Sequence, residues 1–316
     1  MKILCDRHHQ GLTDSLILLF QKRLGWEIYF QKGMEWYPEF WNLQPFRDTA
    51  VQYLERELEG LPGITLEEFK STTFDVLLCS VPQHVDMWIK LRDLYQPDAK
   101  LVFQVGNVWS FDDSFPIKNI LASAVIPKLS TFNTVTYHQE FDLDIFRYQA
   151  PDVGKKIFSF INCLNTVDLY KKDWELFLEL EKLMPDWEFR SFGGQCRDGA
   201  IWDRNELADK MRGATFIYQV KTDGDGYGHN IFSSAAIGRP LITRYSDYKD
   251  KLAETFMWWD MSINVENRTS QELVEDINRA YEQRVVMSKR IDTKFKETVD
   301  FDKEEGEIRV FLNNLI

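Results

Sequence analysis

The stretch that decides the fold is Lys221-Thr-Asp-Gly-Asp-Gly-Tyr-Gly-His-Asn-Ile-Phe-Ser-Ser-Ala-Ala-Ile-Gly-Arg-Pro-Leu-Ile-Thr243. Three of its four glycines stand close together at positions 224, 226 and 228. They let the backbone adopt positive φ or approach a ligand closely. The small residues from 230 to 237 predict a helix whose first N–H groups point back at the loop, where they favour an anion such as a diphosphate. A glycine-containing turn with no ligand is the alternative interpretation.

This stretch resembles the donor-binding loop of nucleotide-sugar glycosyltransferases with the GT-B fold, especially a large retaining, GT4-like family. That family's signature is Glu-Gly-Phe-Gly, four residues, then Glu-Ala and a small-residue helix ending in Gly-x-Pro-Val. Residues 225–228 match its first part and residues 235–241 its last. In the family the first carboxylate contacts the donor sugar, which implies this role for Asp225. The second contacts the nucleotide ribose, and Ser233 stands there with only a hydroxyl.

The resemblance also implies further donor contacts. The family binds the diphosphate with an Arg and a Lys from the loop after the first strand of its second domain, but residues 162–172 have no Arg at the matching place. Lys171, Lys172 and Arg197 are candidates to replace it, and solvation at the surface is their alternative role. His229 and Asn230 would face the sugar and phosphates, with helix capping as the alternative for Asn230. The implied donor-binding set is Lys171, Lys172, Gly193, Arg197, Asp223, Gly226, Tyr227, Gly228, His229, Asn230 and Ser233.

Strands and helices alternate along both halves of the chain, which predicts parallel α/β sheets. Apolar strand-like runs occur at 3–5, 27–30, 74–80, 100–105, 157–161, 187–191 and 215–220. With 316 residues the chain suits two domains of about 150 residues each. We therefore expect two Rossmann-like domains facing a central cleft: an acceptor-binding domain at 1–150 and a nucleotide-sugar-binding domain at 151–316. The terminal helices are expected to pack back on the first domain.

Composition narrows the class of protein. A hydrophobic fraction of 44% and a charged fraction of 28% are typical of a globular protein, and no apolar run is long enough for a transmembrane segment. Charge returns too early after Met1 for a signal peptide, so we expect a cytoplasmic protein. The net charge of −12 disfavours long nucleic acid as a partner. The four cysteines have neither disulfide-framework nor zinc spacing.

The loop after the first strand holds a candidate catalytic group. His8 and His9 lie there, and Asp14 stands in the helix that follows. A neutral imidazole can deprotonate an acceptor hydroxyl because its pKa lies near working pH, and a carboxylate can orient it. The alternative is that Asp14 only charges the helix start while both histidines are solvated.

The sequence contains Asp-x-Asp triplets, a motif that can bind a divalent metal in glycosyltransferases of another fold. Asp-x-Asp triplets occur at 142–144, 223–225 and 300–302, but 50 acidic residues make such triplets expected by chance. We therefore expect no metal and no cofactor, with the nucleotide-diphosphate sugar as co-substrate.

The leading hypothesis is a glycosyltransferase, a hexosyl- or pentosyltransferase, that moves a sugar from a nucleotide-sugar donor to a hydroxyl of a carbohydrate or small-molecule acceptor. The resemblance favours a retaining and metal-independent reaction. One alternative is another GT-B nucleotide-sugar enzyme, such as an epimerase. The other is a degenerate, non-catalytic carbohydrate- or nucleotide-binding protein. The serine at position 233, in place of the family's second acid, would be consistent with such a protein.

Overall fold

The computed structural model describes residues 1–6, 10–33, 36, 62–107, 112–124 and 131–316. These residues form two compact units. The first comprises Met1–Phe141 together with Phe301–Ile316, and the second comprises Asp142–Asp300. His8 and His9 lie outside the described residues.

The first unit is built on a parallel sheet. Its strands in the described residues are β1 (Lys2–Cys5), β2 (Glu27–Gln31), β3 (Gly63–Ile64), β4 (Val76–Cys79), β5 (Lys100–Val105), β6 (Asn119–Ala122) and β7 (Asn133–Thr136). They are arranged in the order β3-β2-β1-β4-β5-β6-β7, and each neighbouring pair is parallel. Every residue of β4 is buried, as expected of a strand covered on both faces.

Four described helices accompany this sheet. They are α1 (Gln10–Leu16), which continues as a π-helical segment at Ile17–Arg23, α2 (Leu66–Ser71), α3 (Val85–Tyr95) and the last helix of the chain, Phe301–Asn313. A capping box starts α2, because Thr65 and Glu68 each accept from the other's backbone N–H. The last helix buries Ile308 and Leu312 in the same apolar cluster as Phe20.

The second unit contains a parallel sheet of five strands. These are β8 (Lys156–Ser159), β9 (Glu188–Ser191), β10 (Phe216–Gln219), β11 (Leu241–Thr243) and β12 (Ser262–Asn264), in the order β12-β11-β10-β8-β9. Its helices are α4 (Lys171–Leu183), α5 (Arg204–Gly213), α6 (His229–Ile237), α7 (Ser270–Glu282) and α8 (Arg284–Thr298). The helix Phe301–Asn313 is α9.

Each sheet contains a point at which the strand order reverses. In the first unit the chain passes from β1 to β2 and β3 on one side, and β4 to β7 lie on the other. In the second, β8 continues to β9 on one side and β10 to β12 lie on the other. Ligands of such sheets bind beyond the carboxyl ends of the strands at this reversal. The fold therefore offers one such position between β1 and β4 and another between β8 and β10.

The predicted α/β architecture with parallel sheets is confirmed. The units meet in sequence between Phe141 and Asp142, whereas the sequence placed the boundary at residue 150. Residues just before 150 pack on the second unit: Gln149 donates its N–H to the Ile237 carbonyl, and the buried Arg239 guanidinium donates to the Gln149 carbonyl.

Candidate functional site

The glycine loop lies at the strand reversal of the second unit. The buried strand β10 leads directly into it, and α6 begins at its end. Asp223, Gly224 and Gly228 have φ of 67°, 64° and 79°. At Gly224 a Cβ atom would lie 2.8 Å from the Asp247 carbonyl oxygen, so a side chain there is excluded by space as well as by φ.

The first turn of α6 has no side-chain cap. Gly228 is the N-cap residue, and as a glycine it provides no side-chain hydrogen bond to the start of the helix. Asn230 does not cap it, because its Nδ2 donates to the Phe160 carbonyl at 2.8 Å. Phe160 directly follows β8, so this bond joins the helix start to the neighbouring strand at the reversal. The capping role considered for Asn230 is therefore wrong.

The loops after β8 and β9 pack closely on each other beside this position. The Asn162 side-chain oxygen accepts the Gly194 N–H at 2.8 Å. Gly193 has φ of 144°, and a Cβ there would lie 2.9 Å from the same oxygen. Gly193 is thus required by the close approach of two protein loops, and its predicted donor contact stays a prediction.

Two lysines that were not predicted as donor-binding residues contact the glycine loop. The Lys221 ammonium pairs with the Asp225 carboxylate, which also accepts from Gln219 Nε2 at 2.6 Å. Lys251 donates to the Asp225 carbonyl at 3.1 Å. Burial works against the charged form of Lys221, but Asp225 more than offsets it and raises the pKa of that lysine. The pKa of Lys251 is lowered, chiefly by burial.

A buried ionic brace holds the loop from the side of α4. The Asp173 carboxylate is fully buried and accepts from the Thr222 backbone N–H at 2.7 Å, from the Thr222 hydroxyl at 2.8 Å and from the Arg244 guanidinium. Burial opposes the charge on Arg244, yet Asp173 raises the pKa of Arg244 overall. We did not identify this brace from the sequence, because its three members lie far apart in the chain.

His229 occupies the first position of α6. The residue as a whole is half-buried, but its Nε2 atom is buried and its ring packs edge-on against Tyr227. Burial lowers the pKa of His229 to about 4, because the charged imidazolium is poorly solvated there. The side chain is therefore neutral near pH 7, which suits it to hydrogen bonding rather than to charge neutralisation.

Several of the predicted donor-binding residues are packed within the second unit. Tyr227 is 2% exposed and stacks on Phe232 with ring centroids 4.3 Å apart. Ser233 is 7% exposed in α6. Gly226 is buried, and Asp223 is exposed at the tip of the loop.

The predicted phosphate-binding cations occupy different settings. Arg197 donates to Glu181, to Asp198 and to the Phe189 carbonyl, so its guanidinium is engaged in contacts within the unit. Lys171 and Lys172 are exposed at the start of α4. In the first unit, Asp14 is half-buried within α1.

The described residues offer neither a cluster of metal ligands nor a membrane-spanning helix. No group of three or more His, Cys, Asp or Glu side chains in that part of the chain is placed to hold a metal ion. Within the same residues, no helix is both long and apolar enough to cross a bilayer.

The arrangement in the second unit can bind an anion that carries polar groups. It combines an uncapped helix start, two lysines, a neutral imidazole and the Asp225 carboxylate at one edge of the sheet. A helix N-terminus and ammonium groups attract phosphate, and a carboxylate accepts hydrogen bonds from hydroxyls.

Comparisons with known proteins give structural matches only. No protein-family model matches the chain. No curated protein sequence matches it either. A glycosyltransferase from Rickettsia africae ESF-5 has a TM-score of 0.70 at 12% identity, with 99% of this chain and 98% of that chain covered. Anabaena Alr3699/HepE in complex with UDP-glucose also has a TM-score of 0.70 at 12% identity, covering 99% and 100%.

A third match is sucrose-phosphate synthase from Thermosynechococcus elongatus, with a TM-score of 0.66 at 11% identity and coverage of 100% and 99%. All three matches extend over nearly the whole length of both chains. At such low identity the likeness shows the fold, and this chain therefore has the GT-B fold of these glycosyltransferases.

Proposed function

We propose that the protein is a glycosyltransferase that uses a nucleotide-diphosphate sugar as donor. One observation carries the proposal: the uncapped start of α6 follows a left-handed glycine at the β8–β10 strand reversal, in a chain with the GT-B fold. Anabaena HepE was solved with UDP, with UDP-glucose, and with UDP and glucose. By analogy, we propose a donor of this chemical class and a carbohydrate or other hydroxyl-bearing acceptor.

The diphosphate would lie against the first turn of α6. There the backbone N–H groups at the helix start would donate to its oxygens, and Lys221 and Lys251 would supply positive charge. Both lysines contact the glycine loop itself, whereas the Arg197 guanidinium donates to Glu181, to Asp198 and to the Phe189 carbonyl. Lys171 and Lys172 lie at the start of α4 and would add charge from there.

Asp225 would contact the donor sugar. Its carboxylate is 22% exposed and is already held by Gln219 and Lys221, so its position is fixed before the sugar arrives. Lysines that neutralise the departing diphosphate would make a divalent metal unnecessary, which supports a metal-independent reaction. We propose retention of the anomeric configuration because of the resemblance of this loop to the retaining family.

A thermal-shift screen with nucleotide-diphosphate sugars tests this function. A donor at 100 times its dissociation constant stabilises the folded chain by about 2.7 kcal/mol. We expect one member of a UDP-, GDP-, dTDP- and ADP-sugar panel to raise the melting temperature saturably, and the wild type to hydrolyse that donor slowly. Lys251→Met should weaken this stabilisation. Lys296→Met, which changes a lysine paired in α8, should leave it unchanged.

The outcomes separate the competing functions. Stabilisation together with hydrolysis supports a glycosyltransferase. Stabilisation without turnover under any condition indicates a binding protein, and no stabilisation by any member of the panel contradicts the proposal.

A further inference from the structure

The second unit has a cavity at the outer edge of its sheet. Its volume is about 620 Å³, within the range of about 300–1,000 Å³ that is usual for small-molecule sites. It lies beside the edge strand β12, which β11 separates from β10. Most of its described lining residues belong to β12, to the segments before and after it, and to α7 and α8, and none belongs to the glycine loop or to α6. The cavity is therefore distinct from the proposed donor site.

An exposed tryptophan forms one wall of this cavity. Trp259 lies shortly before β12 and is 78% exposed. Within the part of the chain that the structure describes, its indole makes no hydrogen bond and no ring contact. A large aromatic side chain that stays exposed beside a cavity is typical of a ligand-binding surface. The indole face can stack on the C–H groups of a sugar ring, and its N–H can donate to a hydroxyl.

Polar groups on the other walls are held by their neighbours. Asp276 in α7 accepts from Arg279 at 2.7 Å and pairs with Arg268 at 3.4 Å. A guanidinium has five N–H donors, so each arginine retains donors that Asp276 does not use. The Asn264 side-chain oxygen accepts the Glu266 N–H at 3.1 Å, which fixes the position of its amide. The cavity thus combines one aromatic wall with hydrogen-bond donors whose positions are set by the protein.

The charges of the cavity balance. Among its described lining residues, the two arginines Arg268 and Arg279 stand against the two carboxylates of Glu266 and Asp276. A site for a nucleotide or another phosphate would instead carry an excess of positive charge. The edge strand β12 has only three residues, so it is a short template for the addition of a peptide strand. An uncharged ligand with many hydroxyls fits these walls best.

We propose that this cavity is a second carbohydrate site, which binds an uncharged oligosaccharide independently of the donor. Trp259 stacks on one sugar ring, while the guanidinium groups of Arg268 and Arg279 and the amide of Asn264 donate to hydroxyls. The inference goes beyond the proposed transfer reaction, because none of the residues proposed to bind the donor lines the cavity. Through this site the protein holds a sugar chain without occupying the β8–β10 reversal.

Calorimetric titration of the full chain with maltohexaose, cellohexaose and xylohexaose, without nucleotide, tests the site. We expect at least one of these sugars to bind saturably. Trp259→Ala should weaken that binding about 10-fold or more, and Arg279→Met about 3- to 10-fold. Trp202→Ala changes a tryptophan of the same unit that is 67% exposed and is not among the lining residues. Arg309→Met changes an arginine paired with Glu305 in α9. Both of these controls should bind the sugar as the wild type does.

The proposal is overturned if none of the three sugars binds, or if Trp259→Ala binds them as tightly as the wild type does. It is also overturned if Trp259→Ala converts a dimer to a monomer in size-exclusion chromatography, because the surface is then an interface between copies of the chain. Displacement of the sugar by a member of the thermal-shift panel would place it at the donor site and overturn the proposal as well. Stabilisation of Trp259→Ala by the donor should equal that of the wild type, so failure of this site is distinct from failure of the proposed function.

Discussion

The two strand reversals are built in different ways. At β8–β10 the residues proposed to face the donor come mainly from one continuous segment, the loop and helix from Lys221 to Ile237. At β1–β4 the Asp6 carboxylate, directly after β1, lies 2.9 Å from Nδ1 of His84, and these two residues are 78 residues apart in the chain. The β8–β10 reversal can be predicted from a local sequence pattern of glycines and small residues. The pair at the β1–β4 reversal forms only when β1 and β4 become neighbours in the folded sheet.

The substitution with the largest expected effect tests whether the glycine loop adopts its conformation without support from the rest of the second unit. Asp173→Ala removes the buried carboxylate that holds Thr222 and Arg244, and leaves the guanidinium without its main partner. Breaking a buried ion pair costs about 3–5 kcal/mol. We expect the free energy of unfolding, measured with urea, to fall by this amount.

The control for this change is Asp186→Ala, which removes the partner of Lys155 in a pair with an exposed carboxylate. Its effect on the free energy of unfolding should be small, because an exposed ion pair in water contributes little to stability. If Asp173→Ala were as mild as this control, the glycine loop would be fixed by its own sequence, and the contrast between the two reversals would be even stronger.

A substitution within the loop should affect turnover more than folding. Asp225→Asn keeps the shape of the side chain but removes the charge proposed to hold a sugar hydroxyl. A charged hydrogen bond contributes about 1.5–3 kcal/mol, so kcat/KM should fall about 10- to 150-fold. Donor hydrolysis provides the measurement.

Asp209→Asn is the matched control, because it changes an exposed carboxylate of α5 paired with Arg212. It should leave kinetics unchanged. Full activity in Asp225→Asn with intact folding would identify Asp225 as a turn residue that only holds Lys221.

The histidine at the start of α6 predicts a specific acid sensitivity. The pKa of His229 is lowered from 6.5 to about 4 by burial, so between these values the unfolded chain binds the proton and the folded chain does not. The stability that this neutral histidine contributes is present above pH 6.5 and is lost as the pH falls towards 4. Protonation of His229 on unfolding should lower the free energy of unfolding by about 2 kcal/mol between pH 7 and pH 5.

His229→Gln should therefore show a smaller drop in unfolding free energy between pH 7 and pH 5 than the wild type shows. Between pH 7 and pH 8 the two proteins should respond alike. An equal drop in both proteins over the acidic interval would mean that His229 is accessible to protons in the folded chain.

The same contrast explains how much the sequence could predict. Apolar runs and the α/β alternation predicted the sheets, and the glycines predicted the start of α6, because each of these signals is local. The brace from Asp173 to Arg244 and the pair of Asp6 with His84 could not be predicted, since they depend on which strands become neighbours. Asn230 was a natural candidate for a helix cap, but its bond to the Phe160 carbonyl required the position of β8.

The lysines illustrate a different difficulty. Lys221 lies within the quoted stretch, but the family's pattern places the phosphate-binding cations in the loop after β8. Only the structure shows Lys251 beside the same loop, through its bond to the Asp225 carbonyl. Lys221 is next to the glycines in sequence, whereas Lys251 is 23 residues beyond the last of the three loop glycines and is close to them only in the folded chain.

The most direct test of the central claim is a crystal structure of the chain with the nucleotide-diphosphate sugar that stabilises it most in the thermal-shift screen. We expect the diphosphate oxygens to lie about 3 Å from the backbone nitrogens of the first turn of α6, with Lys221 or Lys251 in contact and Asp225 on a sugar hydroxyl. A nucleotide bound anywhere other than the β8–β10 reversal would contradict the account.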